Sequence, residues 1–522
     1  MPSLNWIGKD KVLNYHNEVP YKVIDKKYSY GDKDAENMII HGDNLEALKS
    51  LLPKYEGRVK CIYIDPPYNT GNEGWVYNDN VNDPKIKKWL GEVVGKEGDD
   101  LSRHDKWLCM MYPRLRLLQK MLTYDGAIFI SIDDIEIANL LQICNEIFGE
   151  KNHVATFVWQ KRYSPDARTA ISDAHEFILC YAINQEAFKS SRHLLPLTHA
   201  QTKQFSNPDN DPRGPWKSDN FTAPGYRPNQ MYEITLPSGR VVTPPEGRCW
   251  RVTKEGFEKF VAEDRMIYGN NGDGAPAVKR FLSEMPGMVP WTWWNHEEVG
   301  HTQEGNKQLY SIFGKVVFEY PKPSRLIERI IRIATDDDSI ILDSFAGSGT
   351  TAQAVLEINR KDNSNRRFIL VETEDYADSI TSERVRRVIN GYGEGKTKTE
   401  GTGGGFSYYE LGEQLFLNDA CLNPQIDNGV IREYIWYMET RKSFKEIEIE
   451  DNMYFLGTHN DTAYYFIYEK NTQTVLDNDF LSTIKTKADA YVIYADTCNL
   501  STTKMNKYNI TFKKIPRDIA RL

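Results

Sequence analysis

The chain has 522 residues, enough for three or four domains or for two with large insertions. Its 65 Lys and Arg stand against 74 Asp and Glu. The resulting net charge of −9 excludes a uniformly basic coat protein for nucleic acid but not an enzyme with a local basic face. A hydrophobic content of 40% supports a packed core. No apolar run reaches the roughly 18 residues that span a bilayer, and Met1–Lys11 has no signal-peptide stretch, so a cytoplasmic protein with no membrane partner is expected. Cys61, Cys109, Cys144, Cys180, Cys249, Cys421 and Cys498 are scattered without a CxxC, so neither disulfides nor a metal site are expected.

In chain order, Met38–Ile40 is a short apolar run ending in His41-Gly42-Asp43-Asn44, with Leu45, Leu48, Leu51 and Leu52 then spaced as in a helix. Val59–Ile64 predicts a buried strand, and the polar stretch Asn72–Leu101 a mobile loop. Trp107–Leu122 predicts a helix that Pro113 starts or kinks. Gly126–Ile132 predicts a strand, and Ile135–Phe148 the helix after it. From about residue 190 to Gly314 the chain is rich in Pro, Gly, Asn and Trp, with short strand-like runs and no sustained helix. Regular alternation then resumes: helix at Leu326–Ala334, strand at Ser339–Leu342, helix at Thr350–Ile358, strand at Arg367–Val371, helix at Tyr376–Asn390. This is the grammar of a parallel α/β sheet interrupted by an irregular insertion. Gly391–Gly405 reads as a flexible linker, and the aromatic, β-branched alternation beyond it as a small α+β domain.

Two motifs carry chemistry. Asp343-Ser344-Phe345-Ala346-Gly347-Ser348-Gly349-Thr350-Thr351 lies between a strand and a helix, where glycines let the backbone approach a ligand and the helix N-terminus faces it. Without a Lys after the last glycine it is not a P-loop. Glu372, at the end of the next strand, is placed to bind two ribose hydroxyls. These features fit a dinucleotide or S-adenosylmethionine, and a tight structural turn is the alternative. The second motif, Asp65-Pro66-Pro67-Tyr68, ends a buried strand, where doubly wound sheets place active sites. An exocyclic amine becomes nucleophilic when its nitrogen pyramidalises, which two acceptors aimed at its hydrogens favour. The Asp65 carboxylate and the Pro66 carbonyl would supply them, the prolines fix the backbone, and Tyr68 offers a face on which a flipped base can stack; a rigid polar turn after the strand is the alternative.

With Asn69-Thr70-Gly71, this motif resembles the catalytic motif of amino-type DNA methyltransferases, and Asp343–Thr351 resembles their S-adenosylmethionine motif. The catalytic motif comes first, as in the β group. His41-Gly42-Asp43-Asn44 and Tyr320-Pro321-Lys322-Pro323 resemble modification subunits of type III restriction–modification systems. The resemblance covers roughly residues 35–410. It implies a Rossmann-like α/β methyltransferase sheet that methylates N6 of a flipped-out adenine in double-stranded DNA. Phe345, Ala346, Gly347, Gly349 and Thr350 would then shape the cofactor pocket together with Asp343. Glu372 would hold the ribose, and Lys322, Pro323 and Leu326 would lie beside the methionine end. Asp43 would accept from the cofactor's adenine amine or cap a helix. A homodimer and a separate helicase–nuclease restriction subunit are further implications. The alternatives are an N4-cytosine target, or a subunit serving mainly to give specificity to a partner nuclease.

The organisation expected is an N-terminal arm (1–35), a catalytic part (36–189), a target-recognition insertion (190–314), a cofactor-binding part (315–400) and a C-terminal domain (401–522). Residues 151–332 hold 24 Lys and Arg against 20 Asp and Glu, a net of +4, which leaves −13 for the rest. The relative basic excess therefore falls on the insertion and its flanks. The DNA-contact candidates are Lys161, Arg162, Trp216, Lys217, Arg227 and Arg251, while most tryptophans of the insertion are expected in its core.

Overall fold

The computed structural model describes residues 4–70, 103–165, 170–269, 271–395, 398–417, 421–444 and 451–521. The chain forms two compact units, one from Met1–His193 with Trp291–Leu522, the other from Leu194–Pro290. Among the described residues, a ten-stranded sheet organises the larger unit. In chain order its strands are β1 (Lys22–Gly31), β2 (Met38–His41), β3 (Val59–Ile64), β4 (Leu122–Ile132), β5 (His153–Gln160), β6 (His175–Ala182), β7 (Trp293–Trp294), β8 (Ile340–Asp343), β9 (Arg367–Glu372) and β10 (Gly405–Gln414). Across the sheet they run β1-β10-β2-β9-β8-β3-β4-β6-β5-β7. Neighbours are parallel except at β1–β10, β4–β6 and β6–β5. The chain passes outward from β3 to β4 and from β8 to β9 in opposite directions, so the winding reverses between β8 and β3. Doubly wound sheets open their ligand crevice at such a point, at the carboxyl ends of the strands.

β3 is buried at all six positions, as a parallel strand covered on both faces must be. Ile62 and Ile64 face the core beneath α1 (Asn44–Tyr55), α2 (Arg103–Met121) and α3 (Ile137–Phe148), together with Leu48, Leu115 and Ile143. Cys61 and Tyr63 alternate to the other face, against which α5 (Ser324–Ala334) packs. Before α5 comes α4 (Thr302–Phe313), and after it α6 (Thr350–Asp362) and α7 (Glu383–Asn390). In α5, Leu326, Ile327, Ile330, Ile331 and Ala334 repeat at helical spacing and are all buried. Each large aliphatic of that stripe contributes about 1.5–3 kcal/mol.

Several expectations need correction. Pro113 lies inside α2 and neither starts nor ends it, because the helix buries residues from Trp107 to Met121 against its neighbours. The N-terminal arm holds an edge strand, β1. The glycine-rich stretch 391–405 does not end the sheet, since β10 inserts between β1 and β2. Gly391–Tyr392 also pairs with Thr399–Glu400. The irregular unit is shorter than 190–314: Trp294 returns to the main sheet, stacked on Phe157 at 4.3 Å. Two helices, Lys254–Ala262 and α4, occur where no sustained helix was expected. The expected loop at 72–101 lies outside the described residues.

The smaller unit pairs Trp216–Asn220 with Ala277–Phe281 and Thr222–Pro224 with Arg248–Trp250, both antiparallel. Phe221, Ile234, Leu236, Trp250 and Val278 form its core. At the C-terminal end of the larger unit, β11 (Phe455–His459), β12 (Thr462–Phe466), β13 (Ala490–Ala495) and β14 (Ile510–Lys514) form a second sheet. It shares a core with α8 (Asn428–Thr440) through Tyr434, Ile435 and Tyr464. No helix among the described residues is long and apolar enough to cross a membrane.

Candidate active site

Asp65 leaves the carboxyl end of β3, where the backbone turns through Pro66 and Pro67. The Pro67 carbonyl accepts a hydrogen bond from Trp107 Nε1 at 2.7 Å. Among the described residues the Pro66 carbonyl accepts none, which leaves it as the acceptor available to a ligand. Asn69 holds a left-handed backbone (φ 64) and donates to Glu136, a buried carboxylate that also pairs with His104 at 2.6 Å and Asn139 at 2.8 Å. The turn is thus anchored from behind.

The Asp65 carboxylate is engaged. Lys322 Nζ donates to both of its oxygens, at 2.9 and 2.8 Å, and to the Tyr68 hydroxyl at 2.9 Å. The Tyr68 hydroxyl reaches Asp65 Oδ1 at 2.8 Å and Glu176 Oε2 at 3.0 Å. Glu176 Oε2 lies 3.6 Å from Lys322 Nζ, and its Oε1 lies 3.5 Å from Lys161 Nζ. Burial alone would lower the Lys322 ammonium, but Asp65 and Glu176 hold it above the ordinary lysine range. Burial and the same two carboxylates push the Tyr68 phenol far up, so it stays a neutral donor. Lys322 Nζ also sits 5.0 Å from the Tyr68 ring centroid, on the aromatic surface expected to stack a base.

The glycine turn follows β8. Asp343 is buried, and its oxygens accept from Thr351 Oγ1 at 2.5 Å and from the Phe345 amide at 3.0 Å. Burial pushes its carboxyl up to about 7. Gly349 caps α6 at φ 82, and a Cβ there would lie 3.1 Å from the Thr381 carbonyl oxygen. Glycine meets both demands. Behind the turn, the fully buried Arg384 donates to Ser348 Oγ and Thr350 Oγ1, both at 2.7 Å. Glu372, at the end of β9, accepts from the Gly347 amide at 2.6 Å and the Glu374 amide at 3.0 Å. Its burial pushes it up to about 7 as well.

Between the two turns lies a cavity of about 200 Å³. Asp65, Pro67 and Lys322 line one side, and Asp343, Phe345, Ala346, Gly347 and Thr350 the other, with Phe318 and Tyr376 completing the wall. Pro66, Tyr68, Pro323, Gly349 and Glu372 are not among the residues that line it. Asp43 caps α1, its Oδ1 accepting from Leu45 and Glu46 at 2.9 and 3.1 Å, and it does not line the cavity. Phe318 and Tyr376, in edge contact at 5.6 Å, were not picked out from sequence, nor were Trp107, Glu176 and Arg384. A charged residue opening the apolar run HEFILCYA was the available signal for Glu176.

Of the DNA-contact candidates, Lys161 and Arg162 belong to the larger unit and Trp216, Lys217, Arg227 and Arg251 to the smaller one. Lys161 is mostly buried and bonded to Asp173 at 2.7 Å and to Glu176, which makes it part of the carboxylate network and not a free phosphate contact. Arg162 is exposed beside it. In the smaller unit, Trp216 Nε1 donates to Asp209 at 2.8 Å, Lys217 lies over Phe205, and Arg251 pairs with Asp219 at 2.9 Å. Arg227 is exposed, with a 3.3 Å bond to Gln230.

A doubly wound α/β domain with a carboxylate–proline turn and a glycine turn at its switch point defines a Rossmann-like enzyme class. Within that class, the chain belongs to the DNA methylase family, whose model matches residues 59–383. It is 34% identical over 427 residues to the type III restriction–modification enzyme StyLTI Mod subunit of Salmonella typhimurium, covering 74% of this chain and 62% of that protein. The EcoP15I Mod subunit of Escherichia coli is 29% identical, covering 83% of this chain and 77% of the relative. The type II methyltransferase M.KpnI of Klebsiella pneumoniae is 31% identical, covering 67% and 83%. The chain therefore spans less than two thirds of the Salmonella relative.

Proposed function

We propose that this chain is an S-adenosylmethionine-dependent DNA methyltransferase that modifies N6 of a flipped-out adenine in double-stranded DNA, as the modification subunit of a type III restriction–modification system. One observation carries the reading: the turn that begins at Asp65 and the glycine turn share one cavity, with Asp65 and Pro67 among the residues that line it. Family membership and the Mod relatives support the choice of reaction and system. Asp in place of Ser at the first motif position favours adenine over cytosine.

The residues present suit the cofactor. The cavity offers aromatic surface from Phe318, Phe345 and Tyr376 and a glycine backbone without side chains, and the buried Glu372 holds the Gly347 amide behind that wall. Phe345, Gly347 and Thr350 would hold it, with Lys322 at the end nearer Asp65. Bound there, S-adenosylmethionine supplies a methyl group already activated on a sulfonium. What remains for the protein is orientation: Asp65 and the Pro66 carbonyl accept the two N6 hydrogens and direct the lone pair, while Tyr68 supports the base. Fixing two reactants in this way can supply most of the rate enhancement. The Leu194–Pro290 unit, with Arg227 and Arg251 at its surface, is the proposed target-recognition part, and Arg162 the phosphate contact nearest Asp65 in sequence. The proposed assembly is a homodimer that works with a separate restriction subunit.

The test is tritiated methyl transfer to DNA from a methylation-free host, with the product nucleoside identified by mass spectrometry. N6-methyladenine is expected. N4-methylcytosine, or no transfer by a chain that binds the cofactor, contradicts the proposal.

A further inference from the structure

Building on the proposed reaction, we infer that Glu176 is a positioning residue that takes over Lys322 and the Tyr68 hydroxyl when the substrate amine engages Asp65. The need for such a residue follows from the resting geometry. Both Asp65 oxygens face the Lys322 ammonium, and Oδ1 also accepts from Tyr68. An incoming N6 amine requires the same acceptor positions. The Lys322 side chain is only 11% exposed, so its ammonium cannot be left without a counter-charge when it yields.

Glu176 meets the requirement on three counts. Its Oε2 lies 3.6 Å from Lys322 Nζ, so a shift of about 1 Å converts that approach into a charged hydrogen bond. The same oxygen is 3.0 Å from the Tyr68 hydroxyl, which has one hydrogen to give and two carboxylates within reach. Rotation about the C–O bond re-aims that hydrogen without moving the ring. Glu176 is itself 12% exposed and held through Oε1 by Lys161, so its position is fixed and its charge compensated before the exchange. No bond forms or breaks. One ammonium and one hydroxyl hydrogen change acceptor, and Asp65 is released for the amine.

A role limited to holding the fold would affect every step alike, whereas this one concerns the step that needs Asp65 free. The experiment compares the full-length wild type with Glu176→Gln, Glu176→Asp, Lys322→Met and the Glu176→Gln/Lys322→Met double variant. Single-turnover transfer of tritiated methyl to DNA from a methylation-free host is measured beside calorimetric binding of S-adenosylhomocysteine. Glu176→Gln is expected to slow transfer on the order of 100-fold with cofactor affinity unchanged, and Glu176→Asp to restore part of the rate. In the Lys322→Met background there is no ammonium to receive, and Glu176→Gln should change the rate by less than about 3-fold. An equal loss in both backgrounds, or a near wild-type rate for Glu176→Gln, overturns the inference while the wild type still methylates adenine. A wild type that methylates no adenine overturns both this inference and the function it rests on.

Discussion

Two aspartates end neighbouring strands of the same sheet, Asp65 after β3 and Asp343 in β8, and they do opposite things. Asp343 is 2% exposed, and its oxygens are taken by the hydroxyl and amide of its own turn. Asp65 is 26% exposed in its side chain and faces the Lys322 ammonium, which comes from a distant segment, and the Tyr68 phenol of its own turn, which has a second carboxylate within reach. The residue type and the strand end are shared. The difference lies in whether the partners can leave. A carboxylate closed on its own turn is scaffold, and one held by exchangeable partners is available for chemistry.

Each turn can be disrupted separately. The largest expected effect is from Asp65→Ala, which should reduce methyl transfer by at least about 1,000-fold with cofactor affinity within about 3-fold of wild type. Loss of cofactor binding in that variant would place Asp65 in the scaffold with Asp343. Next comes Gly349→Val, which forces a β-branched residue to φ 82 against the Thr381 carbonyl. Here the cofactor dissociation constant should rise about 100-fold, read by calorimetry, and an unchanged constant would detach the turn from the cofactor. Trp107→Phe removes the 2.7 Å bond to the Pro67 carbonyl and loosens the catalytic turn alone. Its kcat should fall about 5-fold at unchanged cofactor affinity, since one neutral hydrogen bond of about 1 kcal/mol is lost.

The smallest effect is on pH dependence. Burial raises Asp343 and Glu372 to about 7, so each holds a proton in the native state that the unfolded chain has released. Their contribution to stability is complete below about pH 4 and is lost as the pH rises through about 7. The Tm of the cofactor-free chain should therefore fall by a few degrees between about pH 5 and 8, and Glu372→Gln should flatten that slope. A slope unaltered in Glu372→Gln would mean that its carboxyl is ionised in the native state.

Much of this was legible from the sequence where chemistry and periodicity coincide. β3 announces itself by six apolar or buried positions ending in Asp-Pro-Pro, and the glycine turn by a strand running into small residues ahead of a helix. The sheet's outer parts were not legible. β1 and β10 are paired although they are separated by most of the chain, and the glycines before β10 look like a linker until that pairing is seen. Lys161 resembled a phosphate contact because a sequence shows a charge but not the two carboxylates that surround it. Glu176 was missed for the same reason in reverse, since its partners come from residues 68, 161 and 322.

The central claim, that Asp65 directs methyl transfer to adenine N6, is tested most directly by single-molecule sequencing of DNA from a methylation-free host expressing this chain or its Asp65→Ala variant. N6-methyladenine at one short recurring site, absent with the variant, is the result expected. The same modification with both chains, or no modified adenine although the purified wild type binds S-adenosylmethionine, would contradict it.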